Sequence, residues 1–244
     1  MFHFRAGAFA RLPLGEGSLA LPSLQCRDCR PAWAAPARAR RPSGWPAAAK
    51  RAADITLAFA ALALLGPLAL VFAALIRLDS RGPVLFRQSR IGRDGVPFEL
   101  LKFRTMYHDP NAADDCRQAT RNDPRVTRIG SLLRRASLDE IPQFINVLRG
   151  DMSVVGPRPH APGTRAGDRR FEDVTHRYAA RHLVRPGMTG LAQIRGWRGE
   201  TDTEEKLIRR VDCDLEYIAT WSLRLDLIIL WRTIFSVLHM RNAY

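Results

Sequence analysis

Residues 55–76 read ITLAFAALALLGPLALVFAALI, with no charged side chain from Ile55 to Ile76. Roughly 20 apolar residues are enough for a helix to cross the hydrocarbon layer of a bilayer. The run is longer than the core helix of a soluble domain needs. Gly66 and Pro67 stand near its middle, where a proline removes a backbone hydrogen bond and bends a helix. The flanks decide between two topologies. Arg38, Arg40, Arg41, Lys50 and Arg51 precede the run; Arg77, Arg81, Arg87, Arg90 and Arg93 follow it. A spanning helix concentrates basic residues on its cytoplasmic side alone. Basic flanks at both ends, with Pro67 between them, favour a re-entrant membrane helix over a spanning one.

Upstream, residues 1–48 are rich in Ala, Pro, Arg and Gly and lack sustained periodicity. The stretch PAWAAPARARRPSGWPAAAK has too little apolar surface to offset chain entropy, so a disordered leader is expected. Downstream, PVLFRQSRIG and PFELLKFRTM read as strands joined by the turn around Gly92–Gly95. NAADDCRQATRNDPRV reads as a loop, and helical spacing is expected over 126–135, 139–149 and about 168–182. Near the C-terminus, Trp221 and Trp231 accompany Arg209, Arg210, Arg224 and Arg232. Helices there can pack on the core or lie among lipid headgroups, and both placements stay open. The sum is an α+β fold, predominantly helical with a small β element, carrying an N-terminal re-entrant membrane helix.

The chain has 244 residues and a formal net charge of +14. That charge suits a polyanionic partner: an anionic membrane face, phosphorylated substrates or nucleic acid. No nucleic-acid-binding motif or basic stretch interleaved with aromatics is present, so no nucleic acid is expected as partner. Cys26, Cys29, Cys116 and Cys213 form no disulfide framework, and the lone C-x-x-C lacks the second pair of a zinc site. The histidines are scattered without metal-ligand spacing.

The chemistry concentrates at Ser137-Leu-Asp-Glu-Ile-Pro-Gln143. Ser137 and Glu140 fit a capping box, whereas Pro142 suits a later start with Asp139 as the cap. On either reading Asp139 and Glu140 sit at a helix N-terminus. The helix dipole there favours an ionised Asp139, and free amides can receive phosphate. Two adjacent carboxylates invite a shared cation, and magnesium (Mg2+), an oxygen-seeking partner of nucleotide phosphates, suits them. A carboxylate beside such a metal can attack phosphorus. Plain capping is the bland alternative, and periodicity alone prefers it. Lys102, Arg104, Arg134, Arg135 and Arg158 are candidates to neutralise a diphosphate, against the plainer reading of a solvated or lipid-facing basic surface. In GDMSVVGPRP, the Pro157-Arg158-Pro159 turn fixes where one guanidinium points.

Three strings, KFRTM, SLDEIPQFINVLRGDMSVVGPRP and RPGMTGLAQIRGWRGETDT, in this order, resemble the bacterial sugar transferase family, the monotopic polyprenyl-phosphate phosphoglycosyl transferases. The resemblance runs from about residue 50 to 244. It implies a membrane helix over 49–80 broken at Pro67, and a cytosolic phosphoglycosyl transferase domain over 81–244. Asp139 would be the nucleophile that takes a phospho-sugar from a UDP-sugar and releases UMP. Glu140 would hold magnesium with Asp139 or handle a proton on the acceptor. Pro157, Arg158 and Pro159 would help bind the nucleotide sugar, and undecaprenyl phosphate would collect the phospho-sugar in a second step. The strings GWRGETDT, YIATWSLRLDL and NAY look like the branch that initiates exopolysaccharide or capsule assembly with glucose-1-phosphate; galactose-1-phosphate transfer is the near alternative. The expected place is the bacterial inner (cytoplasmic) membrane, with the catalytic domain on its cytoplasmic face and a homo-oligomer left open. A basic, non-catalytic membrane protein that binds anions is the reading from a different class.

Overall fold

The computed structural model describes residues 44–108, 123–197, 199 and 201–238. The expected leader up to residue 43 and most of the polar loop lie outside the described residues.

Helix α1, Trp45–Asp79, begins with a proline in its first turn, where the missing N–H costs nothing. It starts at Trp45 rather than at residue 49, and helical backbone persists across Gly66-Pro67, so the expected bend does not interrupt the element. One 18-residue window has a mean hydropathy of 2.5, yet only 11% of it is buried. A soluble core helix hides its apolar surface; this one leaves Phe59, Leu64, Leu70 and Val71 exposed.

The two ends of α1 are polar, and both are tied to the same body. Near the start, Asp54 is 4% exposed and accepts from Ser153 Oγ at 2.9 Å and from the Val154 amide at 3.0 Å. Lys50 donates to Asp226 at 2.8 Å, and Arg51 donates to the Val147 and Leu148 carbonyls at 2.6 and 2.9 Å. Near the end, buried Arg104 donates to the carbonyls of Ile76, Ser80 and Arg81 at 3.3, 2.6 and 2.9 Å. The Ile76 oxygen also accepts from the Ser80 amide at 3.2 Å, so Arg104 adds to the closure of the helix end, where a cation complements the dipole.

Strands β1 (Leu85–Ile91) and β2 (Pro97–Phe103) form the expected antiparallel hairpin, in register from Leu85 opposite Phe103 to Ile91 opposite Pro97. Helix α2, Arg128–Ala136, is capped by Thr127, whose hydroxyl accepts from the Gly130 amide at 2.9 Å. Phe103, Leu133 and Ile141 then pack with Phe72 and Ile76 of α1 in a small apolar cluster.

After α2 come a 3-10 turn at Leu138–Glu140, helix α3 (Gln143–Arg149) and strand β3 (Ser153–Val155). The span expected as one helix over 168–182 is instead three pieces. Strands β4 (Arg165–Ala166) and β5 (Arg169–Arg170) make a small hairpin; α4 (Phe171–Val174) is one turn; Tyr178–Leu183 is 3-10. Thr175 is extended and ends α4, while Phe171 and Tyr178 are buried seven residues apart, a spacing that imitates a helix. Strand β6, Gly187–Thr189, pairs in parallel with β3, a match between segments far apart in sequence. Helices α5 (Leu191–Ile194), α6 (Glu204–Thr220) and α7 (Leu223–Leu238) close the body. The main core gathers Val147, Met152, Val155, Phe171, Leu207 and Val211. Helix α6 buries into it. Helix α7 buries Ile229 against the core, as one of the two expected placements has it, and leaves Leu227, Trp231, Ile234 and Phe235 exposed.

Candidate active site

Local sequence delivers the acidic pair by ending one helix rather than starting another. Ser137 takes a left-handed conformation, φ 57°, as the C-terminal cap of α2. Its side chain makes no capping bond to the following turn, and α3 is preceded by Pro142, also without a side-chain cap. The capping box and the Asp139 cap are therefore both corrected: the pair sits in the 3-10 turn between α2 and α3. A short turn carries little dipole, so burial and neighbouring charges set the state of Asp139.

Asp139 is 9% exposed, and among the described residues no hydrogen bond or ion pair reaches its carboxylate. Burial pushes its pKa above the usual carboxylate value; the Lys102 ammonium opposes that, Glu140 adds to it, and Arg134 and Arg158 oppose it more weakly. This differs from the expected dipole-stabilised anion. Glu140, its neighbour, is held firmly: Arg158 Nη2 donates to Oε1 at 2.5 Å, Arg158 Nη1 reaches Oε2 at 3.4 Å, and Lys102 Nζ reaches Oε1 at 3.4 Å. Lys102 comes from β2, and burial pulls its pKa down against the pull of Glu140.

Arg158 is aimed by a turn whose carbonyls are satisfied one after another. The Pro157 oxygen accepts from the Gly187 amide at 2.8 Å, the Arg158 oxygen from Arg181 at 2.7 Å, the Pro159 oxygen from Arg90 at 3.4 Å, and the His160 oxygen from the Ile91 amide at 3.1 Å. Two prolines fix φ, and four donors from three elements fix the carbonyls, leaving the turn little freedom.

Three cations, Lys102, Arg134 and Arg158, thus bear on two carboxylates, a surplus suited to the negative charge of a diphosphate. Arg134 donates Nε to Thr105 Oγ1 at 2.8 Å. Arg135 lies on the exposed face of α2. The Arg104 guanidinium is turned to the end of α1, away from the pair it was expected to join. Among the described residues no three His, Cys, Asp or Glu side chains converge as a metal site. Two adjacent carboxylates fit magnesium in the way it binds nucleotides, through one or two protein oxygens with phosphates and water completing the shell.

A profile of known families matches residues 45–240 with that of the bacterial sugar transferases. The chain belongs to the bacterial sugar transferase family. Curated relatives resemble the transferase over most of its length. The undecaprenyl-phosphate glucose phosphotransferase of Komagataeibacter xylinus is 49% identical over 92% of this chain and 44% of its own. The UDP-glucose:undecaprenyl-phosphate glucose-1-phosphate transferases of Escherichia coli and Caulobacter vibrioides are 51% and 52% identical, each over 80% of this chain and over 41% and 72% of their own. The transferase thus spans less than half the length of two of these relatives.

Several buried residues around the candidate site carry no signal in the sequence. Arg181, Asp214 and Asp54 are ionisable groups buried by pairing across long separations. Only an apolar setting around a charge hints at Asp54, four residues after Lys50.

Proposed function

We propose that the chain transfers glucose-1-phosphate from UDP-glucose to undecaprenyl phosphate, with UMP as leaving group, through a phospho-sugar carried on Asp139. The observation that supports this reading is the buried Asp139 carboxylate, without a hydrogen-bond partner among the described residues and within the field of the Lys102, Arg134 and Arg158 cations. The Asp139 oxygen attacks the phosphorus bonded to the sugar. The bond from that phosphorus to the bridging oxygen breaks, and the oxygen leaves on UMP. A phosphate oxygen of the carrier then attacks the same phosphorus, the aspartyl bond breaks, and Asp139 regains its carboxylate. Lys102, Arg134 and Arg158 hold the phosphate charges in place as they shift. Asp139 and Glu140 would hold magnesium, which neutralises charge on the diphosphate.

The activities named for the relatives above support the choice of sugar and carrier. The test incubates the purified chain with undecaprenyl phosphate, magnesium and a panel of UDP-sugars, and measures UMP. Release with UDP-glucose in preference to UDP-galactose and the N-acetylated sugars is the expected result. Anion binding without UMP release from any of them would replace the reading with that of a non-catalytic membrane protein.

The same reading places α1 as a re-entrant helix on the cytoplasmic face of the inner membrane. A straight run from Asp54 to Ile76 is about 33 Å long at 1.5 Å per residue, close to the thickness of the hydrocarbon layer. A spanning helix of that length separates its ends across the bilayer, whereas here Lys50, Arg51 and Asp54 at one end and the Arg104 contact at the other engage one body. In a cysteine-free background, Trp45→Cys and Leu78→Cys should both react with an impermeant thiol reagent added from the cytoplasmic side. Reaction of Trp45→Cys only from the opposite side overturns the re-entrant topology.

A further inference from the structure

Behind the Pro157-Arg158-Pro159 turn lies a buried ionic group that the transfer chemistry does not use. Arg181, from the 3-10 segment, is 2% exposed and so shut off from water. Its Nε and Nη2 both donate to Asp214 Oδ2 of α6, at 3.0 and 2.7 Å. Nη1 donates to His160 Nδ1 at 2.5 Å, and Nη2 also reaches the Arg158 carbonyl at 2.7 Å. The Tyr178 ring lies 5.3 Å from the Arg181 guanidinium carbon. Burial first, and the Arg181 charge second, hold His160 neutral well below the ordinary histidine pKa, so its Nδ1 is free to accept.

A desolvated guanidinium is costly to bury, and a pair of apolar side chains fills the same space without that cost. What apolar side chains cannot do is hold a carbonyl oxygen. Of the four donors on the turn, Arg181 alone binds the carbonyl of the residue whose side chain reaches Glu140. Asp214 and His160 fix the guanidinium on its other edges, and a planar fork held on three sides has one orientation left.

We infer that Arg181, clamped by Asp214, is a positioning residue: through the Arg158 carbonyl it aims the Arg158 guanidinium at Glu140. The inference rests on the transferase reading above. Arg181 touches no substrate; it acts through Arg158. Misplacing a catalytic group by an ångström is worth up to about 100-fold in rate, so a real effect on turnover is expected without any change in the acidic pair itself.

The test is a mutant cycle on the full chain in detergent, read as UMP release from UDP-glucose. The paired change Arg181→Met with Asp214→Leu removes both buried charges together and so leaves neither stranded. Alone it should lower kcat/KM by about 10- to 100-fold while thermal unfolding stays within a few degrees of the parent. Introduced into Arg158→Ala, the same pair should cost less than about three-fold, because the group it aims is gone. An equal fold-loss in both backgrounds, or no loss in the parent, overturns the inference. If the paired variant does not fold, Arg181→Lys keeps the charge but loses the fork, and the same cycle applies with the same criterion. Asp139→Asn is run alongside. If it stays active, the covalent reading fails; if it is inactive while the cycle is additive, only the positioning role fails.

Discussion

Asp139→Asn is expected to lower UMP release from UDP-glucose by about 1,000-fold or more, since the amide cannot form the aspartyl bond. Folding is expected to survive. Burial raises the Asp139 pKa above its unfolded value, so the native state prefers the neutral form. The sign follows: ionising Asp139 weakens folding once pH passes the unfolded value of about 3.9, and that loss grows until pH exceeds the raised native value. Asparagine imitates the neutral acid and should leave thermal stability at pH 7 equal to or above that of the parent. The parent rate should climb with pH as Asp139 ionises, and fall away below its raised pKa. Full activity in Asp139→Asn would discard the covalent step, and an inactive variant that also melts early would point to the fold instead.

Gly187→Ala should produce a large loss of stability from a single methyl group. A Cβ on Gly187 would sit 2.1 Å from the Gly156 amide nitrogen and 2.6 Å from its Cα, and backbone atoms have no rotamer to change. Strands β3 and β6 must then part, releasing the bond from the Gly187 amide to the Pro157 oxygen. Overpacking of this kind costs about 3 kcal/mol, and turnover should drop with it because Arg158 hangs from the same turn. Gly66→Ala is the comparison: open space surrounds that position, and its thermal unfolding in detergent should match the parent. A Gly187→Ala protein with the parent's melting temperature and activity would refute the close approach.

The elements built on local patterns were legible before any coordinates. The apolar run became α1, the alternating strings became the β1–β2 hairpin, and the fold brings Asp139, Glu140, Lys102, Arg134 and Arg158 near one another. Other features were not legible, because they depend on which distant group stands opposite. The S-x-x-E spacing at Ser137 fits a capping box, but a serine in left-handed conformation can equally end the helix before it, and the chain chose that. Lys102 and Arg104 lie two apart on one strand end and look alike in sequence. One faces Glu140 and the other the end of α1. The parallel pairing of β3 with β6 leaves no periodic trace, since three-residue strands are too short to show one. The buried pair of Arg181 and Asp214 reads as two ordinary surface charges until the fold brings them together.

The polar grip on α1 bears on how this protein can be handled. Cutting away residues 45–79 to obtain a soluble protein would leave Asp226 without its lysine, the end of α3 without Arg51, Ser153 without its carboxylate, and Arg104 with no helix to close. The apolar segment is no detachable tether. A shortened protein would carry stranded charges and an uncovered apolar cluster into water. Lipid or detergent therefore belongs in the preparation from the start, as a component of the native protein's surroundings.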